Sequence, residues 1–271
     1  MNQTILSDTR PLVRVVAGIV LNGRGEFLLS SRPEGKPYAG YWEFAGGKIE
    51  AGETELQALQ REFEEELGIR IHTARPWLTK IHSYEHALVH LRFLRVEAHE
   101  WSGALQPREG QQWAWQKAGD FTVSPMLPAN GALLKALSVP TRLKGRLKTG
   151  LYGENGMGEY RVVPFESAEP QHDNILIREE KLRQLGKMPE AGSVWVVIET
   201  ADQWPCIQDA DAAVWQINDA ETAEAAYAVL SDGVSLPLVI AAPPKLLEQY
   251  RSRWHALGAH ALLADDAAEA V

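Results

Sequence analysis

The chain has 271 residues, of which 45% are hydrophobic and 23% are charged, and this length predicts one or two globular domains. The net charge of −9 argues against sequence-independent binding to duplex nucleic acid, which needs a positively charged surface. It leaves open a small anionic substrate that is held through a bound metal ion.

The composition also indicates where the protein works. The single cysteine, Cys206, cannot form an internal disulfide, as is usual in a reducing compartment. The first eight residues lack the basic segment and apolar core of a signal peptide, and no apolar run has the length of a membrane span. We therefore expect a cytoplasmic protein with no membrane partner, whose oligomeric state the sequence leaves open.

The first half of the chain predicts strands around a central helix. Strands are expected at 13–21 and 26–30, joined as a hairpin by the Asn22-Gly23 turn. A surface loop rich in Pro and Gly spans 32–40, and a short strand spans 41–44. A helix from Thr54 to Leu67 ends at Gly68. Further strands are expected at 77–84, 88–97 and 112–115, and a second helix at 131–137.

The second half predicts a different architecture. Residues 140–160 have many Gly and basic residues and few apolar ones, which indicates a linker or irregular lead-in. From residue 161 strands and helices alternate, which is typical of a parallel sheet. Strands are expected at 161–165, 194–199, 213–217, 236–241 and 260–264, and helices at 178–185, 220–230 and 244–257. We therefore predict an α+β domain with a mixed sheet over 1–139 and a smaller α/β domain over 161–271.

An acidic cluster lies on the first helix. Arg61, Glu62, Glu65 and Glu66 are spaced by three and four residues, so they lie on one side of the helix. Like charges at this spacing repel by a few tenths of a kcal/mol per pair, and a divalent cation with oxygen ligands would remove that repulsion. The alternative is a solvated acidic face, as most charge runs are.

The full sequence pattern from Gly47 to Ile69 favours the metal site over a solvated acidic face. Its specified positions are Gly47, Glu53, Arg61, Glu62, Phe63, Glu65, Glu66, Gly68 and Ile69. This pattern resembles the Nudix hydrolase signature, which implies an α/β/α sandwich with a mixed sheet. It also implies metal-dependent hydrolysis of a nucleoside diphosphate linked to another group. Mg²⁺ is the expected metal, with Mn²⁺ as a substitute.

The resemblance also implies roles for the residues of the signature. Glu62, Glu65 and Glu66 match the family's metal ligands, and the carbonyl of Gly46 often adds another ligand. Arg61 is expected to hold Glu53 or another carboxylate of the motif by a charge-assisted hydrogen bond. Glu53 is expected to orient the site or to bind metal at its edge, although catalysis by Glu53 stays open.

Flanking residues resemble the MutT-type oxidised-nucleotide diphosphatases within this family. Residues 42–50, which include Glu43 and Phe44, match their strand and loop, except that Ala45 stands where proline is usual. Glu109 falls where they carry a further metal-binding or base glutamate. Asn130 matches an asparagine that recognises the purine edge, and Arg32 matches an arginine that lines the nucleotide site.

Each flanking residue has an ordinary structural alternative. Asn130 could cap the helix that follows it, and Glu109 could be a solvated turn residue. Phe44 could belong to the hydrophobic core rather than to a wall of the nucleotide site. The role of Arg32 is equally open.

Three functional hypotheses follow. The first is Mg²⁺-dependent hydrolysis of oxidised purine nucleotides, with 8-oxo-dGTP giving 8-oxo-dGMP and pyrophosphate, which cleans the nucleotide pool before DNA synthesis. The second is the same chemistry on another compound, such as a dNTP, CTP or ADP-ribose. The third is a nucleotide-sensing binding module, which the complete set of motif glutamates disfavours.

The C-terminal half resembles part of a thiamine-phosphate-synthase-like barrel, which some bacterial Nudix proteins carry at this end. This half is too short for eight βα units, since a full barrel takes about 200 residues or more. No activity is assigned to it.

Overall fold

The computed structural model describes residues 10–83, 87–169 and 174–265. The chain forms two compact units that divide between Leu133 and Leu134, whereas we predicted a domain end at residue 139. Across those described ranges, no helix is long and apolar enough to cross a membrane. The predicted strand end at Tyr84 and the first eight residues lie outside the described part.

The first unit has three groups of strands and one long helix. Its strands are β1 (Leu12–Val20), β2 (Phe27–Ser31), β3 (Trp42–Glu43), β4 (Gly46–Lys48), β5 (Arg70–Ile71), β6 (Arg75–Ser83), β7 (Leu88–Val96), β8 (Trp101–Ser102) and β9 (Trp113–Gln116). The helices are α1 (Glu55–Leu67), a 3-10 turn (Pro128–Asn130) and α2 (Gly131–Leu137), which continues across the division between the units.

The main sheet of the first unit is mixed, as predicted. Its strand order is β4-β1-β7-β6. Strand β1 pairs in parallel with β7 along its whole length, and the β1–β4 and β6–β7 pairs are antiparallel. A second sheet has the order β3-β2-β9, and β5 pairs with β8.

The predicted hairpin between the first two strands is wrong. The turn is present, because the Asn22 side-chain oxygen accepts hydrogen bonds from the backbone of Arg24 and Glu26. Beyond a single bridge between Leu21 and Phe27, however, β1 and β2 enter different sheets. The edge of β1 that a hairpin would have used is taken further along by β4, since the amides of Asn22 and Gly18, which donate to Glu26 and Ala45, point to the same side of the strand.

Helix α1 is fixed at both ends and along one face. Thr54 forms a capping box with Gln57 at its start. Gly68 ends it in a left-handed conformation with φ of 68°. The buried side chains are Ala58, Leu59, Phe63 and Leu67, and burial of each large one contributes roughly 1.5–3 kcal/mol. The opposite face, which carries the glutamates, is thereby aimed away from the core.

The second unit contains one eight-stranded sheet. Its strands are β10 (Lys144–Arg146), β11 (Gly150–Asn155), β12 (Gly158–Pro164), β13 (Asn174–Arg178), β14 (Ser193–Ile198), β15 (Ala212–Gln216), β16 (Leu238–Ala242) and β17 (Ala261–Ala264). Its helices are α3 (Glu179–Leu185), α4 (Ala220–Asp232) and α5 (Pro244–Ala256), with 3-10 turns at Phe165–Ser167 and Ala201–Ile207.

The strand order of this sheet follows the chain from β10 to β17. Strands β12 to β17 pair in parallel with one another, which confirms the predicted α/β architecture. Strand β10 contacts β17, so the two edges of the sheet approach each other. The strand β13 was missing from our prediction.

We predicted from its glycines that segment 140–160 is a linker or irregular lead-in, and this prediction is wrong. It forms β10, β11 and the start of β12, which pair antiparallel. Leu143, Leu147 and Leu151 are buried in the same core as the parallel strands, together with Val139. Glycine is needed where strands approach closely, since a Cβ at Gly145 would lie 2.3 Å from the Gly150 carbonyl oxygen.

Candidate active site

Two glycines of β4 allow the backbone to lie directly against its neighbours. Gly46 has a φ of 151°, and a Cβ there would lie 2.1 Å from the Val16 carbonyl oxygen. At Gly47 a Cβ would lie 2.1 Å from Oε1 of Glu62. The absence of a side chain at Gly47 therefore makes room for the Glu62 carboxylate beside β4.

Arg61 joins the start of the motif loop to the carboxylates of α1. Its Nε and Nη2 donate to the two oxygens of Glu53 at 2.8 and 3.1 Å. Its Nη1 lies 2.9 Å from Glu62 and 3.4 Å from Glu65, and Nη2 also donates to the Lys48 carbonyl. The hydrogen bonds from Arg61 hold the pKa of Glu53 below its usual value. This arrangement suits an orienting role for both residues.

The segment before β9 is held against the C-terminal end of α1 by two side-chain hydrogen bonds to its carbonyls and braced by one within the segment. Gln111 Nε2 donates to the Glu66 carbonyl at 2.7 Å, and Gln111 Oε1 accepts from the Glu109 backbone at 2.9 Å. The Arg108 guanidinium donates to the Glu64 carbonyl. The carboxylate of Glu109 is thus brought towards that of Glu66, although Glu109 is far from α1 in the sequence.

The electrostatics of Glu66 show that the carboxylates are crowded. Burial is the main reason why the pKa of Glu66 is raised to about 7. The ammonium of Lys36, whose Nζ is 3.6 Å from Glu66 and 2.7 Å from Glu109, opposes the rise. The negative charges of Glu109, Glu62 and Glu43 add to it. Positive charge between these groups would be stabilised.

The donors suit a hard divalent cation, because all are carboxylate oxygens. Among the described residues, however, no three His, Cys, Asp or Glu side chains converge closely enough to chelate one ion as they stand. Arg61 and Lys36 lie between the carboxylates instead. Glu65 is 61% exposed and can turn towards an ion without breaking the core. The carboxylates therefore fit a metal if these cations yield some of their contacts.

Arg32 and Glu43 form an ion pair beside this cluster. Arg32 Nη1 lies 2.6 Å from Glu43 Oε2, and Arg32 Nε donates to the Pro37 carbonyl at 2.6 Å. Burial raises the pKa of Glu43, and the Arg32 charge opposes that rise. In this structure Arg32 fixes the loop between β2 and β3 to β3.

Asn130 contacts the backbone of β3. Its side chain is buried, and its Nδ2 donates to the Trp42 carbonyl at 3.3 Å. The Trp42 backbone also accepts from Leu127 and donates to Pro125. The amide of Asn130 thus lies next to the strand that carries Glu43.

Phe44 is placed in the core rather than in an open site. It is 5% exposed, and its ring centroid is 5.8 Å from that of Phe27 and 6.1 Å from that of Phe93. This packing agrees with the core alternative for Phe44, and its contact with the nucleotide stays a prediction.

Sequence reasoning missed Lys36 and Gln111 as parts of the site. Lys36 lies in a loop that was predicted only as irregular, and nothing in its spacing relates it to Glu66 or Glu109. Nothing in the spacing of Gln111 indicates its role, because its hydrogen bond to the Glu66 carbonyl depends on how this segment packs against the end of α1. The burial of Gln111 is visible only in the structure.

Comparisons with known proteins agree with the motif. The Nudix domain profile matches residues 11–137. The 8-oxo-dGTP diphosphatase of Haemophilus influenzae is 37% identical, over 47% of this chain and 93% of its own length. The CTP pyrophosphohydrolase of Escherichia coli K12 is 36% identical, over 46% of this chain and 90% of its own length. A solved MutT structure, from a study of the Aliivibrio salmonicida and Vibrio cholerae proteins, is 34% identical over 46% and 96%, with a TM-score of 0.40.

These matches cover less than half of the chain, and the profile ends before the second unit's sheet begins. Within the matched part, the signature glutamates, the arginine that joins them and the two glycines of β4 stand in one compact arrangement. The chain belongs to the Nudix family.

Proposed function

We propose that this protein is a Mg²⁺-dependent diphosphatase that converts 8-oxo-dGTP into 8-oxo-dGMP and pyrophosphate, and so removes oxidised purine nucleotides from the pool used for DNA synthesis. The observation that carries the proposal is the approach of Glu66 and Glu109, with Lys36 between them, next to the Arg61-linked carboxylates of α1. We also place the protein in the cytoplasm.

The residues divide the chemical work. A bound divalent cation supplies neutralisation of the phosphate charge and lowers the pKa of a water molecule. Glu62, Glu65, Glu66 and Glu109 would hold it, with the carbonyl of Gly46 as a further ligand. Arg61 keeps Glu53 and Glu62 in place through charge-assisted hydrogen bonds. One of the cluster carboxylates accepts the proton of the attacking water.

The base would be recognised on the Asn130 side of β3. An amide can donate and accept hydrogen bonds at once, so it can separate 8-oxoguanine from guanine by their different donor patterns. Glu43 follows Trp42, whose carbonyl accepts from Asn130, and its charge acts on Glu66, so β3 connects the proposed base side with the carboxylates. The relatives named 8-oxo-dGTP diphosphatase support this substrate.

A second candidate is CTP or a related nucleotide, which the 36% identity to a CTP pyrophosphohydrolase favours. The two are separated by kcat/KM for Mg²⁺-dependent hydrolysis, followed as pyrophosphate release from 8-oxo-dGTP, dGTP and CTP and as AMP formation from ADP-ribose. Preference for 8-oxo-dGTP supports the first proposal, and preference for CTP replaces it with the second.

The same assay tests the metal site. Glu65→Gln should abolish turnover, whereas Glu64→Gln, on the same helix but paired with Arg70 and Arg108, should retain it. Full activity of Glu65→Gln would remove Glu65 from the site.

A further inference from the structure

Lys36 forms ion pairs with Glu66 and Glu109, two of the carboxylates that would bind the proposed metal. Its Nζ is 2.7 Å from Glu109 Oε2 and 3.6 Å from Glu66 Oε1. The side chain comes from the loop between β2 and β3, and this loop is closed at its base by the hydrogen bond from the Arg32 backbone to the Tyr41 carbonyl at 2.8 Å. The loop thus brings a positive charge to a fixed point of the acidic cluster.

Lys36 and Arg61 hold the carboxylates in different ways. Arg61 is anchored by two hydrogen bonds to Glu53 and one to the Lys48 carbonyl, so it can release one carboxylate and remain in place. The side chain of Lys36 is 43% exposed. It is a compact charge on a flexible stem and can leave the cluster without disturbing the core.

We propose that Lys36 is a tethered counter-ion that exchanges with the divalent metal on Glu66 and Glu109, and whose released ammonium then pairs with the phosphates of the substrate. This inference rests on the proposed metal-dependent function. The two cations compete for these carboxylates, because an ammonium and a divalent ion held close together on the same groups repel each other. The released ammonium stays beside the phosphates because its loop remains closed by Arg32 and Tyr41.

The exchange has a consequence that does not depend on turnover. Without nucleotide, Lys36 competes with the metal, so Lys36→Met should bind Mn²⁺ about three- to fivefold more tightly than the unaltered protein, the size expected for a partly exposed ion pair. Free Mn²⁺ can be measured by electron paramagnetic resonance in a titration of the full chain. Lys36→Arg, which keeps the charge, should stay near the unaltered protein.

Lys117→Met is the matched control. Lys117 is exposed, and its charge interacts with Glu26. Its replacement therefore removes one positive charge without changing a contact of Glu66 or Glu109. Equal tightening in Lys117→Met and Lys36→Met would mean a general charge effect and would overturn the inference. Unchanged or weaker Mn²⁺ binding by Lys36→Met would also overturn it.

The substrate side of the exchange is tested by kinetics. Lys36→Met should raise KM for the nucleotide more than it lowers kcat, whereas an unchanged KM would overturn the phosphate contact. If the unaltered protein neither binds Mn²⁺ nor hydrolyses nucleotides, the proposed function itself fails. If it does both and Lys36→Met binds Mn²⁺ no more tightly, only the exchange fails.

Discussion

Gln111 connects two candidate metal ligands without contacting either carboxylate. Its Nε2 donates to the Glu66 carbonyl at 2.7 Å, and its Oε1 accepts from the Glu109 backbone at 2.9 Å. The side chain is 4% exposed, so water cannot replace these bonds. Gln111 therefore helps to set the relative position of the two ligands, together with the hydrogen bonds from Arg108 to α1.

Gln111→Ala should accordingly weaken Mn²⁺ binding and lower kcat/KM by at most about 30-fold, since two buried hydrogen bonds of about 1 kcal/mol each are removed. The titration and the hydrolysis assay described above measure both effects. Gln112→Ala is the matched control, because Gln112 is exposed and its hydrogen bonds to Ser31 come from the backbone. Equal effects of the two changes would contradict a positioning role for Gln111.

Gly47→Ala should remove activity while leaving the fold intact. The new Cβ would meet Glu62 Oε1 at 2.1 Å and Oε2 at 2.6 Å. These atoms are the end of a flexible side chain, so the carboxylate would move and the backbone would stay. Displacement of a catalytic group by about 1 Å can lower the rate on the order of 100-fold. We expect that loss in kcat/KM with a nearly unchanged melting temperature.

Gly23→Ala provides the comparison for this change. A Cβ at Gly23 has no neighbour within 4 Å, so activity and stability should both be retained. A large fall in the melting temperature of Gly47→Ala would show that the close approach supports the fold rather than Glu62.

Lysine should not be able to perform the role of Arg61, so Arg61→Lys should lower activity. Arg61 contacts Glu53, Glu62 and the Lys48 carbonyl at once, and a single ammonium cannot form this planar set of bonds. We expect kcat/KM to fall about tenfold or more, because charge-assisted hydrogen bonds are lost. Arg70→Lys, at a 79% exposed arginine near Glu64, should have no measurable effect. Retained activity of Arg61→Lys would mean that its charge alone suffices.

The sequence predicted the part of the site that is encoded locally. Thr54, Gly68 and the buried face of α1 determine where Glu62, Glu65 and Glu66 point, and all of these signals lie within one short segment. The contacts of Lys36 and Gln111 could not be predicted, because each depends on pairing between distant segments. The strands within 140–160 were missed for another reason: their glycines are required by close strand packing, whereas glycine in a sequence usually indicates irregular structure.

Asn130→Ala should reduce the preference for 8-oxo-dGTP over dGTP, roughly tenfold if the amide recognises the base. The side chain also holds the Trp42 carbonyl, so a loss of stability is expected as well. The ratio of the two kcat/KM values separates the effects, because a general loosening of β3 would lower both alike. An unchanged ratio with a lower melting temperature would assign Asn130 a structural role only.

The last prediction concerns where the second unit begins. Val139 is buried in its core, and its carbonyl is 2.9 Å from His260 Nε2. Asn155 Nδ2 donates to the Ser138 carbonyl at 2.9 Å, and Lys135 Nζ lies 2.6 Å from Asp211. A fragment of residues 134–271 should therefore be more stable than one of residues 140–271.

The difference should be about 2–4 kcal/mol, which combines the burial of one valine with two hydrogen bonds. Urea unfolding followed by circular dichroism measures it, since the midpoint shifts with stability when the slope is unchanged. Coincident unfolding curves would instead mean that residues 134–139 add nothing to the second unit, which agrees with the first-domain end at residue 139 that the sequence predicted. A lower midpoint for the shorter fragment would show that residues 134–139 act as part of the second core.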